Sequence, residues 1–162
     1  MKIRKSRNND FEKILQIYLE GSIDEQRLQF PKKSVKKIQE EQNKTKPSIV
    51  KYLKNHFNSK KRIFLVVEEK KEVVGFGEAY VEKAEGQVFG GFGRVYISKE
   101  FRGNGLGTKI TKKLLEYLKK KKVKKIESYV YINNKLSLGL HDKLGFRKEE
   151  YKMVKEFKWN PN

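Results

Sequence analysis

The chain contains no cysteine. That excludes disulfides, thiolate metal sites and a cysteine nucleophile. It has only two histidines, His56 and His141, too few on their own for a typical zinc site. No apolar run approaches the roughly 18–20 residues that cross a bilayer. The amino terminus, Met1-Lys2-Ile3-Arg4-Lys5, leads into charge rather than an apolar stretch, so no signal peptide is expected. These absences predict a soluble, cytoplasmic protein with no metal site and no membrane partner. Acid is scarce as well: 20 Asp+Glu stand against 39 Lys+Arg, a formal net charge of +19. Such a field draws anionic partners, nucleic acid among them. The densest basic run, residues 119–125, carries no interleaved aromatics, which single-strand grooves use to stack bases. It covers the end of a predicted helix, where cations suit the negative end of the dipole. Solvation and general anion attraction therefore rank above specific nucleic-acid binding.

At 162 residues the chain has the size of one ordinary domain, and 1–162 is read as such. Ile3-Arg4-Lys5 reads as a short strand. Asp10 is positioned to cap an amphipathic helix through Glu20, with Phe11, Ile14, Leu15, Ile17 and Tyr18 at helical spacing and Gly21 at its end. Ser34 to Gln42 predicts a short helix, and Pro47-Ser48 opens another carrying Leu53 and Phe57. Ile63 to Val67 reads as a buried strand, Lys70-Lys71 as a turn, Val73 to Val81 as its antiparallel partner. After a turn at Glu85-Gly86-Gln87, Val88 to Ile97 gives a third strand. Gly90, Gly91 and Gly93 inside it mark a bulge or the close approach of a ligand. A helix to about Lys122 buries Ile110, Leu114, Leu115 and Leu118. Ile126 to Ile132 is a strand, Asn134 to Leu144 a short helix ended by Gly145, and Phe146 to Phe157 a last strand. Residues 159–162 form a tail.

Arg102-Gly103-Asn104-Gly105-Leu106-Gly107 is the densest functional signal. It lies between the strand ending Val95-Tyr96-Ile97 and the helix that follows. Backbone N–H groups of such a turn converge on one point, beside about half a positive charge at the helix start. Phosphate or pyrophosphate fits there, and the Arg102 guanidinium offers a charged fork. The run lacks the Gly-Lys-Ser/Thr of a P-loop, and its glycines do not fit Gly-x-Gly-x-x-Gly.

Arg102-x-x-Gly105-x-Gly107, taken with Asn134-x-x-Ser137-x-x-Leu140-His141-x-x-x-Gly145-Phe146, resembles the two signature blocks of the GCN5-related N-acetyltransferases. The resemblance is specific over residues 92–147. It implies a mixed, mostly antiparallel α/β (α+β) sheet flanked by helices, and acetyl-CoA as co-substrate, with CoA as product. It further implies that backbone N–H groups of residues 102–108, Thr108 included, hold the pyrophosphate. The pantetheine arm would lie along Val95-Tyr96-Ile97, in a gap where that strand splays from the next. A free N–H near Tyr96 or Ile97 would polarise the thioester carbonyl. Asn134, with Ser137 beside it, would reach the pantetheine or pyrophosphate, or serve as a helix cap; both can hold at once.

In that family a tyrosine protonates the departing thiolate; this chain has His141 at the position. A histidine donates from a reference pKa near 6.5 rather than about 10. Tyr129 and Tyr131 are substitutes, and a partly buried helix histidine without a chemical role is the alternative. The family's acidic residue on the strand before the loop is missing from Gly91-Phe92-Gly93-Arg94. Glu78 on the neighbouring strand is the candidate base, ahead of Glu82 and Glu100, with an outward-facing residue or a chain of waters as the alternatives. Arg94 points to an acceptor with negative character or faces solvent. Phe30, Tyr52 and Phe57 are candidates to line the acceptor site or to join the core. The expectation is an N-acetyltransferase acting on a primary amine of a small molecule or a protein, in a family that often forms homodimers. A non-catalytic CoA-binding module and a basic nucleic-acid- or ribosome-binding protein are the alternatives.

Overall fold

A computed structural model describes residues 1–84, 86–150, 152, 153 and 155. Its elements are β1 (Lys2–Lys5), α1 (Phe11–Gln29), α2 (Val35–Phe57), β2 (Arg62–Glu69), β3 (Glu72–Ala84), β4 (Gln87–Ile97), α3 (Leu106–Lys120), β5 (Lys125–Glu127) and α4 (Lys135–Lys143). Short 3-10 turns precede α1 and follow β4. The strands form one sheet in the order β1-β2-β3-β4-β5. The first three pairings are antiparallel, and β5 lies parallel to β4 after the α3 crossover. This is the mixed, mostly antiparallel sheet flanked by helices that the sequence predicts. No helix among the described residues is long and apolar enough to cross a membrane.

The apolar run in β2 is continuous because both sheet faces are covered. Phe64 and Val66 join Ile14, Ile17, Leu53 and Phe76 under α1 and α2. Leu65 and Val67 join Ala79, Ile110, Leu114 and Leu118 under α3. Side chains alternate between faces along a strand, so neighbouring residues feed two different cores. Ile110, Leu114 and Leu118 are wholly buried, and each contributes about 1.5–3 kcal/mol by leaving water.

Four elements differ from the sequence reading. Helix α1 does not stop at Gly21 but runs on to Gln29. A Cβ at Gly21 would lie 2.5 Å from Cγ of Tyr96, so the glycine makes room for a ring rather than ending a helix. Asp10 accepts from Arg4 Nη1 and Nη2 and from the Arg7 N–H, and does not cap α1 with its side chain. The two short helices after Ser34 are one, α2, with Pro47 inside it. Residues 43–48 are exposed, so water can serve the carbonyl that a proline leaves without its helical donor. Strand β5 covers only Lys125–Glu127, and residues 128–132 are irregular. Residues 146–150 form no strand; Tyr151, Val154, residues 156–162 and Glu85 of the predicted turn lie outside the described residues.

Candidate functional site

The short β5 leaves an open edge on β4. Pairing between them stops at Gly91 opposite Glu127, so residues 92–97 run on with no partner strand on that side among the described residues. Which backbone groups line this edge follows from strand alternation. The Ser98 N–H donates to the Val74 carbonyl, toward β3. Ile97 therefore faces the other way, and its carbonyl accepts from Arg102 Nε at 2.7 Å. Val95 shares that orientation, and Tyr96 turns its backbone toward β3. Of the three residues expected to line an extended ligand, Val95 and Ile97 present polar backbone to the gap. Tyr96 presents its side chain to α1 instead: its hydroxyl donates to Glu25 Oε2 at 2.5 Å. Burial and the Glu25 carboxylate push that phenol well above its ordinary value.

The glycine loop sits at the end of this edge. Gly103 and Gly105 have φ of 83° and 71°, in the left-handed region that favours glycine. A Cβ at Gly103, Gly105 or Gly107 would find nothing within 4 Å, so the cradle is open. Gly105 is the N-cap of α3 and no side chain caps the helix. The N–H groups of Leu106, Gly107 and Thr108 thus lack helical carbonyl partners and a capping side chain. Leu106 is buried in the α3 core and anchors the turn, while Asn104 is exposed. An anion with several oxygens fits this cradle, and an extended polar chain fits the edge beside it.

The Arg102 side chain is used otherwise than the sequence suggests. Besides Ile97 it holds Asp24 of α1, at 2.6 Å, so the fork fastens the loop to β4 and α1. Asn134 caps α4, with Oδ1 accepting from the Ser137 N–H at 3.1 Å. The Ser137 carbonyl in turn accepts from His141 Nδ1 at 2.7 Å. A carbonyl only accepts, so Nδ1 carries a proton. Nε2 meets the Ser128 hydroxyl at 2.8 Å, just past the end of β5. The ring is flanked by Phe92 and Phe146. For His141 to give up a proton from Nε2 it must first be doubly protonated. Tyr129 and Tyr131 stand exposed and irregular nearby.

Glu78 is not outward-facing: it is 1% exposed and points beneath α2. Its Oε1 receives His56 Nδ1 at 2.9 Å and Nη1 of Arg62. Its Oε2 occupies the space a side chain would need at Gly93. The β3–β4 register shifts between Gly77 and Ala79, a bulge that brings Glu78 against Gly93. Gly90 and Gly91 are explained likewise by neighbours: a Cβ there would strike the Tyr80 carbonyl and the Glu127 carbonyl respectively. These glycines admit protein, not ligand.

His56 is the residue the sequence reading missed. Nothing in the pattern of α2 marks it; only the fold sets it beside Glu78. Its ring lies 3.9 Å from the Tyr52 ring, centroid to centroid. Burial, opposed by the Glu78 carboxylate and assisted by the Arg62 charge, holds the imidazole below its usual value. Arg94 projects on the same face, over the rings of Tyr18 at 5.1 Å and Tyr52 at 6.0 Å. No carboxylate pairs with it among the described residues. Phe57 belongs to the core against Phe11 and Phe64, whereas Tyr52 and Phe30 stay exposed. Glu82 and Glu100 are exposed. His141, the candidate acid, and Glu78, the candidate base, sit on opposite faces: His141 packs on Phe92, which is paired with Ala79 of the α3 core, and Glu78 packs under α2.

Comparison with known proteins bears on this geometry. A family model described as "Acetyltransferase (GNAT) family" matches residues 24–146. A mycothiol acetyltransferase of Amycolatopsis mediterranei is 35% identical over 92 residues, covering 54% of this chain and 31% of that protein. An L-2,4-diaminobutyric acid acetyltransferase of Vibrio parahaemolyticus is 32% identical over 93 residues, covering 57% of this chain and 51% of that protein. The chain thus spans about half or less of the curated relatives it matches. Among solved structures, a "predicted acetyltransferase with acetyl-CoA" from Clostridium acetobutylicum superposes with a TM-score of 0.73 at 17% identity, covering 96% of this chain and 95% of that one. An aminoglycoside 6'-N-acetyltransferase of Acinetobacter haemolyticus gives 0.67 at 16%, covering 99% of this chain and 100% of that one. At such identity these two carry the fold alone.

Proposed function

We propose that this chain, which belongs to the GNAT acetyltransferase family, moves the acetyl group of acetyl-CoA to a primary amine by direct attack in a ternary complex. The family uses acetyl-CoA as co-substrate. One observation carries the reading for these residues: the open edge of β4 runs into the open glycine cradle and the uncapped start of α3. The cradle suits a pyrophosphate, held by the N–H groups of residues 103–108. The Val95 and Ile97 backbone suits the amide-bearing arm, and one of those N–H groups is positioned to accept the charge developing on the thioester oxygen.

The reaction forms a C–N bond and breaks a C–S bond. The ammonium loses one proton to solvent by way of the protein. A second proton passes from nitrogen to the departing sulfur, with the Ser128–His141 pair as its carrier. Arg94, unpaired by any carboxylate among the described residues, and the +19 charge favour an amine bearing an anionic group over a polycation. The diaminobutyric acid named for one relative is an amine of that kind.

Calorimetry with acetyl-CoA, using CoA and ATP as controls, tests the first step. Micromolar, acetyl-CoA-selective binding followed by CoA release with a carboxylate-bearing amine is the expected outcome. Absence of acetyl-CoA binding would overturn the reading and return the lysine-rich surface to first place.

A further inference from the structure

We infer that His56, not Glu78, takes the proton from the acceptor ammonium, and that Glu78 is its positioning residue. The inference rests on the acetyltransferase reading above. Glu78 cannot do the work directly without dismantling its surroundings. Its Oε1 is bonded to His56 and Arg62 and its Oε2 is pressed against β4 at Gly93. Protonating that carboxylate would leave Arg62 without its only ion-pair partner among the described residues. A carboxylate nearly sealed from water can exchange a proton only through the groups bonded to it, His56 among them.

His56 has both what Glu78 lacks and what Glu78 supplies. A carboxylate accepts, so the bond at Nδ1 places the neutral ring's proton there and leaves the lone pair on Nε2. Its side chain is 17% exposed, enough to pass a proton on to water. Arg62 and Arg94 stand around it as fixed positive charges, and with burial they keep the ring neutral and ready to accept near neutral pH. The other titratable groups on this face are Tyr18 and Glu25 of α1, Tyr52 of α2, Tyr80 of β3 and Tyr96 of β4; burial pushes the Tyr18, Tyr80 and Tyr96 phenols up, so they stay uncharged there. The position is also right. Glu78 abuts Gly93, and Gly93 stands two residues before Val95, where the ligand-facing backbone begins. His56, bonded to Glu78, therefore lies on the α1/α2 face at the Gly93 end of that stretch.

The step balances simply. His56 Nε2 takes one proton from the ammonium and becomes an imidazolium, the freed amine lone pair forms the C–N bond, and the imidazolium then gives the proton to solvent. Arg94 and His56 both lie against the Tyr52 ring, so an acceptor carboxylate held by Arg94 would bring its amine toward His56.

The test has two arms. The first needs no acceptor: nitrogen-detected NMR of the uniformly labelled protein reads the tautomer and titration of His56. The expected result is a neutral ring protonated at Nδ1, titrating below a free histidine. A ring protonated at Nε2, or titrating above about 6.5, would overturn the inference. The second arm measures CoA release with the best substrate from a panel of amino acids, diamino acids, peptides and polyamines. H56Q should lower kcat by about 100-fold, keep acetyl-CoA affinity within twofold, and remove the acidic limb of the kcat/KM profile. E78Q should lower kcat less and move that limb rather than remove it. Full turnover and an intact limb in H56Q would overturn the inference while leaving the acetyltransferase reading standing. Failure of the wild-type protein to release CoA with any amine would overturn both.

Discussion

Two sets of glycines in this molecule are small for opposite reasons. Gly21, Gly90, Gly91 and Gly93 have no side chain because the protein already fills the space: with a tyrosine ring, two backbone carbonyls and a carboxylate. Gly103, Gly105 and Gly107 have none although nothing lies within 4 Å. The first set describes how tightly the α1/α2 face and the sheet are packed. The second describes space the protein leaves empty where the α3 N-terminus and the β4 edge meet. Composition cannot separate the two, and the sequence reading left the strand glycines open between a bulge and the close approach of a ligand; the β3–β4 register shift is the bulge. Close approach was correctly foreseen; the approaching group is the protein itself.

The comparison makes the largest effect a loss of stability. Gly91→Val places a branched side chain against the Glu127 carbonyl and the Tyr80 hydroxyl. Backbone cannot move aside as a flexible side chain can, so overpacking should cost about 3 kcal/mol. The urea midpoint should fall accordingly, and acetyl-CoA affinity should fall only as far as the fold does. A stable Gly91→Val protein would mean that β4 and β5 are further apart than the packing indicates.

Next in size is the loss of one binding event with the fold kept. Gly105→Val should abolish measurable acetyl-CoA binding by calorimetry. Its left-handed φ costs a non-glycine residue about 1–2 kcal/mol, so the melting temperature drops by a few degrees but the transition stays cooperative. Binding that survives would remove the phosphate role from the loop. Gly107→Ala is a sharper probe because its φ is not in the left-handed region and no neighbour opposes a methyl group. Stability should hold or rise slightly. The acetyl-CoA Kd should rise about tenfold, equal to about 1.4 kcal/mol. An unchanged Kd would show that the ligand does not use that space.

How much of this was legible follows from what each signal depends on. The loop at 102–107 and the block from Asn134 to Phe146 announce themselves because each is a pattern of spacing along one stretch of chain, within the matched family region. The strands β2 to β4 were legible from continuous apolar runs and short turns. Gly21 misled because helix ends and ring-accommodating positions both select glycine. Pro47 misled because a proline in an exposed helical turn looks like a helix start. His56 was illegible because its partner lies 22 positions away on another element. Glu78 could be picked as the nearest carboxylate to the site, but its burial depends on a bulge and on Gly93. That His141 and Glu78 lie on opposite faces was likewise illegible, because sequence order does not say on which face of a sheet a residue lies.

The smallest effect tests the rule drawn from the comparison, that emptiness around a glycine marks a ligand. Gly139 also has nothing within 4 Å of a would-be Cβ, yet it lies inside α4 with an ordinary helical backbone. It is neither on the β4 edge nor among the uncapped N–H groups of α3. Emptiness alone should therefore not make it a contact. Gly139→Ala should stabilise the protein by about 0.5–1 kcal/mol, because alanine loses less conformational freedom on entering a helix. Its acetyl-CoA Kd should equal that of the wild type. A weaker Kd with unchanged stability would extend the ligand surface from the loop across α4. An unchanged Kd would confine it to open space joined to unsatisfied backbone, the combination that sets the loop glycines Gly103, Gly105 and Gly107 apart from Gly139.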